Sequence, residues 1–252
     1  MHKVDTVRFI LYLLLSTMLP EVLIAQDTIS DYAALAQEDM GKVNATYTSI
    51  DKLSMDVTYS LYPSYFSPAP TDISKGFYKK QGDMFQSSIM GVETMQNEKY
   101  RIVTDEAAKL LVVSEVLPTI AMVTPVKIDS ALRQCSAISY RESANGQKIY
   151  TLNFDKGVFD FQSLEIFINP KSYLLDQINI YFGDAINIDP NDLSSAKQIP
   201  MVQIVYSNVN QRPKFRSALF SEHRYVKDKN GAYVASANYP DYEVINLISN
   251  KY

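Results

Sequence analysis

The sequence predicts a mainly β (α+β) chain built on a strongly curved antiparallel sheet, covered by an N-terminal helix and a short mid-chain helix. Period-two alternation begins at residue 53, and short strand-like segments then follow one another, separated by turn residues. Short connections of this kind pair consecutive strands antiparallel. The chain has 18 Tyr, 11 Phe and no Trp, a composition that favours strands. The inner face of such a sheet must be covered by the helices or left as a cavity.

The N-terminus has the features of a secretory signal. Lys3 and Arg8 precede the apolar run Phe9–Leu19, and Ala25 is a small residue at a suitable cleavage position. The alternative is a single membrane anchor, but spanning a bilayer takes about 20 apolar residues and this run is shorter. We therefore expect cleavage after Ala25 and export of the remaining chain.

The domain organisation follows from this expectation. Residues 1–25 are predicted to be the signal peptide, and residues 26–252 a single domain with a C-terminal extension at about 227–252. No other stretch approaches spanning length, so no integral membrane span is expected after cleavage. We expect a periplasmic location, with secretion or association with an outer membrane as alternatives.

The first element of the exported part is predicted to be a helix over residues 29–50, because apolar residues recur there at spacings of three and four. A clean half-buried strand follows, since Leu53, Met55, Val57 and Leu61 alternate with polar residues. A short helix is predicted over Val126–Gln134. The remaining predicted strands are Lys75–Lys80, Met84–Met90, Val92–Gln96, Lys99–Thr104, Lys109–Ser114, Ser136–Glu142, Lys148–Asp155, Leu164–Asn169, Leu174–Phe182, Met201–Val209, Ala218–Val226, Ala232–Ala235 and Tyr242–Ile248.

Residues that carry catalytic or metal chemistry are sparse. The exported part has one histidine, His223, so one chain cannot build a zinc site from several histidines. The single cysteine, Cys135, lies among apolar residues, which is typical of a small buried hydrophobe. No phosphate-binding or dinucleotide-binding motif is present. We therefore expect no enzyme activity, no cofactor and no metal.

The net charge of the chain limits the kinds of partner that we expect. The formal net charge is −4, and the basic and acidic residues of the predicted signal cancel one another. A weakly acidic exported domain gives no reason to expect a nucleic-acid partner. The single cysteine cannot form an internal disulfide, so packing must stabilise the domain.

The order of elements resembles that of the LolA-like periplasmic lipoprotein carriers. The segments that carry the resemblance, over about residues 29–226, are Asp31–Ile50, Leu53–Tyr62, Gly76–Phe85, Tyr100–Val113, Pro125–Gln134, the hairpins 137–154 and 164–182, and the strand 201–209. The resemblance implies an open half-barrel covered by helices. It also implies carriage of lipid or lipoprotein acyl chains, and no catalytic or partner-binding residue is carried over from the family.

The first functional hypothesis is a non-enzymatic carrier or sensor of acyl chains or another apolar ligand, including a lipoprotein. A curved antiparallel sheet can enclose such a site, and burial contributes about 0.8 kcal/mol per methylene. The predicted cavity-lining residues are Met55, Val57, Tyr59, Leu61, Phe77, Phe85, Tyr100, Ile102, Leu111 and Val113. The alternative for each of them is an ordinary packed core.

The second hypothesis is an interaction or assembly protein of the envelope that uses the same fold to bind a protein partner. It would use the sheet edges and the aromatic, acidic C-terminal surface near Tyr233, Tyr239, Tyr242 and Tyr252. An enzyme is the third hypothesis, for which Cys135 and His223 are the residues to replace.

Overall fold

The structure is a computed structural model that describes residues 32–117, 128–186, 197–229 and 232–248. The predicted signal peptide lies outside the described residues, as do residues 126–127 of the predicted short helix. The fold class is confirmed: the described chain is mostly β, with one N-terminal helix and one short helix. Neither of these helices is long and apolar enough to cross a membrane.

The helices and strands begin and end close to the predicted positions. The helices are α1 (Ala33–Ser49) and α2 (Ile128–Gln134). The strands are β1 (Lys52–Tyr62), β2 (Asp72–Gln81), β3 (Met84–Ile89), β4 (Val92–Gln96), β5 (Arg101–Asp105), β6 (Leu110–Ser114), β7 (Ala137–Glu142), β8 (Lys148–Asn153), β9 (Phe161–Ile168), β10 (Leu175–Phe182), β11 (Met201–Asn210), β12 (Val226–Lys229), β13 (Ala232–Ala235) and β14 (Glu243–Asn246).

Twelve of these strands form one sheet within the described residues. Their order is β14-β6-β5-β4-β3-β2-β1-β11-β10-β9-β8-β7, and β12 and β13 form a separate two-stranded ribbon. The large sheet is not closed, as predicted. It is mixed rather than purely antiparallel, because β14 pairs with β6 in parallel, in register from Glu243 opposite Leu110 to Asn246 opposite Val113. The chain between β6 and β14 is long, which permits the parallel direction.

One predicted strand is wrong. Residues 218–225 of the predicted strand Ala218–Val226 form turns and a 3-10 segment at Glu222–Arg224, and only Val226 enters a strand. The Ser221 side chain accepts a hydrogen bond from the His223 amide at the start of this segment. Serine in this position satisfies a free amide at a helix start, so it favours the turn over an extended strand.

The chain divides into two compact units. Of the described residues, the first unit contains 32–49, 58–74, 128–186 and 197–207, and the second contains 50–57, 75–117, 208–229 and 232–248. The prediction of a single domain with a C-terminal extension stays a prediction.

The core of the first unit lies between α1 and one face of β8–β11. Tyr150, Ile166, Ile178 and Ile204 are register partners across these four strands, and all are buried. Direct partners share a face, so they form one continuous row. Helix α1 packs here through its buried stripe, whose members are Ala36, Asp39, Met40, Val43 and Tyr47.

A buried ion pair fixes the helix to the sheet in this unit. The fully buried carboxylate of Asp39 accepts hydrogen bonds from Lys148 Nζ, at 2.7 Å and 2.9 Å, and from the Tyr150 hydroxyl. Burial raises the pKa of Asp39, but the hydrogen bonds from Lys148 and Tyr150 outweigh it and hold the pKa below its ordinary value. Tyr47 adds a further link, because its hydroxyl accepts the Leu175 amide at 3.2 Å. Charge and hydrogen bonding therefore set the position of α1 together with apolar packing.

Candidate functional site

The C-terminal segment of the second unit covers one face of the β4–β6 meander. Met95, Ile102 and Val113 are register partners across these strands, and they form a buried cluster together with Leu111, Tyr225 and Val226. The half-buried residues that pack against this cluster are Tyr100, Tyr233, Ala235, Tyr239, Tyr242, Val244 and Ile248. We call this side of the meander the core face. It is filled by the chain's own side chains.

Hydrogen bonds connect the C-terminal segment to the core face. The Tyr225 hydroxyl donates to the Glu93 carboxylate, and Gln86 Nε2 donates to Glu93 at 2.7 Å and to Tyr225 at 3.1 Å. Tyr225 is fully buried, and burial together with the Glu93 charge raises the pKa of its hydroxyl well above the ordinary value. A tyrosine held in this way positions the segment on the sheet and stays protonated.

The opposite side of the meander is aliphatic and only half-buried. The register pairs Thr94 with Val103, Val103 with Val112 and Val112 with Ile245, so these four residues form one row across β4, β5, β6 and β14. Direct partners share a face, and alternation along each strand places this row opposite the core face. We call the side of the meander that contains this row the aliphatic face. Its half-buried or exposed apolar members are Ile89, Val92, Val103, Leu110, Val112, Ile245 and Leu247.

Arg101, whose Nε atom has no hydrogen-bond partner among the described residues, lies in the next row of the aliphatic face. Arg101 is paired with Gln96 on β4 and with Ser114 on β6. Its Nε atom is buried and has no hydrogen-bond partner, and within the described part of the chain no hydrogen bond or ion pair engages the guanidinium. Burial lowers the pKa of Arg101. A buried donor left unsatisfied costs about 1–3 kcal/mol, so this residue is energetically unfavourable as it stands.

Gln96, the register partner of Arg101, has hydrogen-bond partners for its side-chain amide. The Gln96 side chain is fully buried, and its amide exchanges two hydrogen bonds with the Leu117 backbone, at 2.7 Å and 3.0 Å. The chain that leaves β6 is thereby fixed at the Gln96 end of the aliphatic face. At the other end, Asp105 accepts the amides of Ala107 and Ala108 in the β5–β6 turn.

The structure does not bring the ten predicted lining residues to one surface. Ile102, Leu111 and Val113 are completely buried in the core face, with Tyr100 packed at their edge. Phe77 lies on the core-face side of β2, because it pairs with Ser88, whereas Phe85 pairs with Lys80 and Gln96 on the aliphatic side. The four β1 residues, Met55, Val57, Tyr59 and Leu61, are buried. Contact of any of the ten with a ligand stays a prediction.

Three residues of the aliphatic face were not predicted from the sequence as site residues: Arg101, Val103 and Val112. Strands β5 and β6 are apolar on both faces, which is the signal that a second face is covered or binds something. The predicted lining residues of these strands were instead the alternate positions, Ile102, Leu111 and Val113. Alternation alone cannot say which of two apolar faces the C-terminal segment covers.

The two residues considered for catalysis are not members of the strands that form this face. Cys135 is half-buried, its thiol donates to the Leu132 carbonyl at 3.2 Å, and burial raises the pKa of the thiol. His223 is exposed in the 3-10 segment. Among the residues that the structure describes, no group of three or more His, Cys, Asp or Glu side chains is arranged to hold a metal ion.

Among the comparisons with known proteins, the one with solved structures found similar chains. No protein-family model matches the chain, and no curated protein matches it. An uncharacterised conserved protein from Thermus thermophilus is 11% identical, with a TM-score of 0.45 over 84% of this chain and 99% of that one. The lipoprotein LppX from Mycobacterium tuberculosis is 12% identical, with a TM-score of 0.38 over 73% of this chain and 99% of that one.

A LolA superfamily protein from Nitrosomonas europaea is 11% identical, with a TM-score of 0.31 over 74% of this chain and 97% of that one. At these identities the likeness concerns the fold and not the chemistry of the side chains. A LolA superfamily protein is among the solved structures to which the chain is similar.

Proposed function

We propose that the protein is a non-enzymatic, exported carrier or binding protein for lipid, lipoprotein acyl chains or another apolar ligand of the cell envelope. The aliphatic face is the observation that carries this proposal. Single apolar residues on a surface are ordinary, but Val103, Val112 and Ile245 are contiguous across three paired strands. Among the described residues, the chain's own side chains fill the core face behind them, and the proposal assigns the aliphatic face to the ligand.

The dimensions of the aliphatic face suit an acyl chain. Neighbouring strands lie about 4.8 Å apart, so the face extends roughly 19 Å from β3 to β14. Burial of about seven methylenes on it would contribute roughly 6 kcal/mol, which corresponds to a Kd on the order of 0.1 mM before any polar contact. An apolar surface alone can therefore bind acyl chains weakly. Tighter binding requires a polar contact in addition.

Equilibrium dialysis of the purified protein with radiolabelled hexadecanoate tests the proposal. We expect saturable binding, and at least an about fivefold loss of affinity for Val112→Gln, which places an amide in the centre of the aliphatic row. Val234→Gln is the matched control, because Val234 is an exposed valine of β13 in the same unit. Circular dichroism verifies that both variants are folded. Absence of hexadecanoate binding, together with absence of copurified lipid in a mass spectrum, would contradict the proposal.

A second candidate function, a scaffold that binds an envelope protein, is favoured by Phe66. This side chain is 92% exposed in the β1–β2 loop of the first unit. Hydrogen bonds connect the loop around it: Ser64 and Ser67 exchange hydrogen bonds, and Tyr65 donates to the Phe182 carbonyl and packs edge-on against Tyr181. An exposed aromatic on a loop held by such contacts is typical of an interface anchor.

The free energy gained by burying one Phe side chain favours a protein over a membrane as the partner of Phe66. Burial of one Phe contributes about 1.5–3 kcal/mol, less than the roughly 4 kcal/mol of even a millimolar membrane interaction. In a protein interface the same residue adds to neighbouring contacts. Phe66→Ser should abolish co-isolation of a crosslinked envelope partner and leave hexadecanoate binding unchanged. An unchanged crosslinking pattern would contradict this second candidate.

A further inference from the structure

We infer that the aliphatic face takes an amphiphile whose acyl chain ends in an anionic oxygen, a carboxylate or a phosphate, and that Arg101 binds this oxygen. The inference rests on the proposed function and adds the chemical class of the ligand's head. It also makes Arg101 the residue that determines specificity.

The buried Nε atom makes Arg101 energetically costly. Its buried Nε has no acceptor, and no carboxylate or carbonyl within the described residues pairs with the guanidinium. An arginine presents several donors in a fixed plane, which suits two oxygens of one carboxylate or phosphate group. An anionic head placed against Arg101 would satisfy the Nε donor and the charge together. A neutral alcohol would satisfy one donor and leave the charge unpaired.

The distribution of charge on the face orients the ligand. Arg101 lies in the row with Gln96 and Ser114, whereas Asp105 and Glu243 lie in the row at the other end of the same strands. Asp105 is four positions after Arg101 along β5, a distance of about 13 Å. The acidic row therefore leaves Arg101 unpaired and disfavours an anion at its own end. The row that contains Val103 and Val112 lies between them, where the acyl chain would lie.

Competing explanations for the unpaired arginine are weaker. Arg141, on β7 of the other unit, shows how an arginine of this chain is normally satisfied: it donates to Glu165 at 2.9 Å. A structural role for Arg101 would call for an acceptor of the same kind. Its direct partner Ser114 instead donates to the Arg101 carbonyl at 3.4 Å, and no acidic side chain is its register partner.

The experiment compares ligands that share a chain and differ in the head. Equilibrium dialysis uses radiolabelled hexadecanoate, hexadecyl phosphate and hexadecan-1-ol, at about 0.15 M salt so that distant charges are screened. We expect wild-type protein to bind the carboxylate and the phosphate at least about 10-fold more tightly than the alcohol, the ratio expected for a charge-assisted hydrogen bond of about 1.5–3 kcal/mol. The two anionic probes show which head is preferred.

Variants assign the preference to Arg101. In Arg101→Gln the preference for the acid over the alcohol should fall to about twofold or less, while affinity for the alcohol stays the same. Arg101→Lys keeps the charge but loses the planar pair of donors, so its preference for the acid over the alcohol should fall to a value between those of wild type and Arg101→Gln. This intermediate preference is the test if the glutamine variant fails to fold. Arg212→Gln is the matched control, since Arg212 is an exposed arginine of the same unit.

The outcomes separate this inference from the proposed function. Equal affinity of the wild-type protein for all three compounds, or a preference for the acid that survives in Arg101→Gln, overturns the inference and leaves the proposed function standing. Binding of none of the three compounds overturns the proposed function, and the inference with it.

Discussion

Gln96 and Arg101 are direct partners across β4 and β5, yet the Gln96 amide exchanges two hydrogen bonds with Leu117 while Arg101 Nε is buried without an acceptor. Both side chains project from the aliphatic face. One of them fixes the chain that leaves β6, and the other is left with a free donor in an apolar setting. This difference distinguishes a structural polar residue from one that is available to a ligand.

The close approach of β2 and β3 at Gly76 gives the first prediction. A Cβ at this position would lie well inside the van der Waals contact distance of the Ser88 carbonyl oxygen, so backbone would have to move. Gly76→Ala should therefore lower the free energy of unfolding by at least about 2 kcal/mol in urea denaturation. Gly41→Ala is the control: nothing lies within 4 Å of its Cβ, and the substitution should stabilise α1 by up to about 1 kcal/mol. Equal changes in the free energy of unfolding for the two substitutions would contradict the close approach of β2 and β3 at Gly76.

The buried Asp39–Lys148 pair gives the second prediction. Asp39→Ala leaves Lys148 and Tyr150 without their acceptor, so the free energy of unfolding should fall by about 3 kcal/mol. Glu38→Ala is the neighbouring control, because Glu38 pairs with Lys42 on the surface and its loss should cost less than about 0.5 kcal/mol. Urea denaturation of both variants measures the difference. Similar losses in the two variants would show that Asp39 does not fix the helix.

The same carboxylate predicts a pH dependence. The pKa of Asp39 lies below its ordinary value of 3.8 in the folded protein, so the unfolded chain binds more protons at low pH. Its contribution to stability should be fully present above about pH 5 and disappear as the pH falls through the folded pKa. Urea midpoints of wild type and Asp39→Asn should therefore converge below about pH 4. A constant difference between pH 6 and pH 3 would contradict this assignment.

The C-terminal segment gives the fourth prediction. Tyr239, Tyr242, Val244 and Ile248 pack against the buried cluster of the core face, and Tyr239 stacks on Tyr225 with ring centroids 5.6 Å apart. Truncation before Tyr239 removes all of this apolar contact and should cost at least about 4 kcal/mol of unfolding free energy. A segment merely appended to a complete fold would leave the urea midpoint unchanged, and that result would contradict the packing.

The elements of the fold were largely predictable, because each depends on local signals. The alternation in β1 and the three- and four-residue spacing in α1 both proved correct, and Ala36, Met40, Val43 and Tyr47 form the buried stripe of the helix. The burial of Asp39 was not predictable. Its partners lie 109 and 111 residues away, and no local pattern indicates a buried charge whose compensation is that distant.

The faces of the sheet were harder to predict than its strands. Alternation relates residues within one strand, but the turn at Gly82 sets the register of the next, and that register places Phe85 opposite Lys80 rather than beside Phe77. The parallel pairing of β14 is likewise non-local. Because β14 and the ribbon before it decide which face is covered, the core face and the aliphatic face could not be distinguished from the sequence.

Photo-crosslinking with a diazirine-bearing fatty acid tests the central claim most directly, because it reports both binding and position. After irradiation and digestion, we expect modified peptides that contain Thr94, Val103 and Val112, with labelling suppressed by excess hexadecanoate and reduced in Val112→Gln. Labelling confined to peptides of the first unit, or labelling that excess hexadecanoate does not suppress, would contradict the claim that the aliphatic face binds an acyl chain.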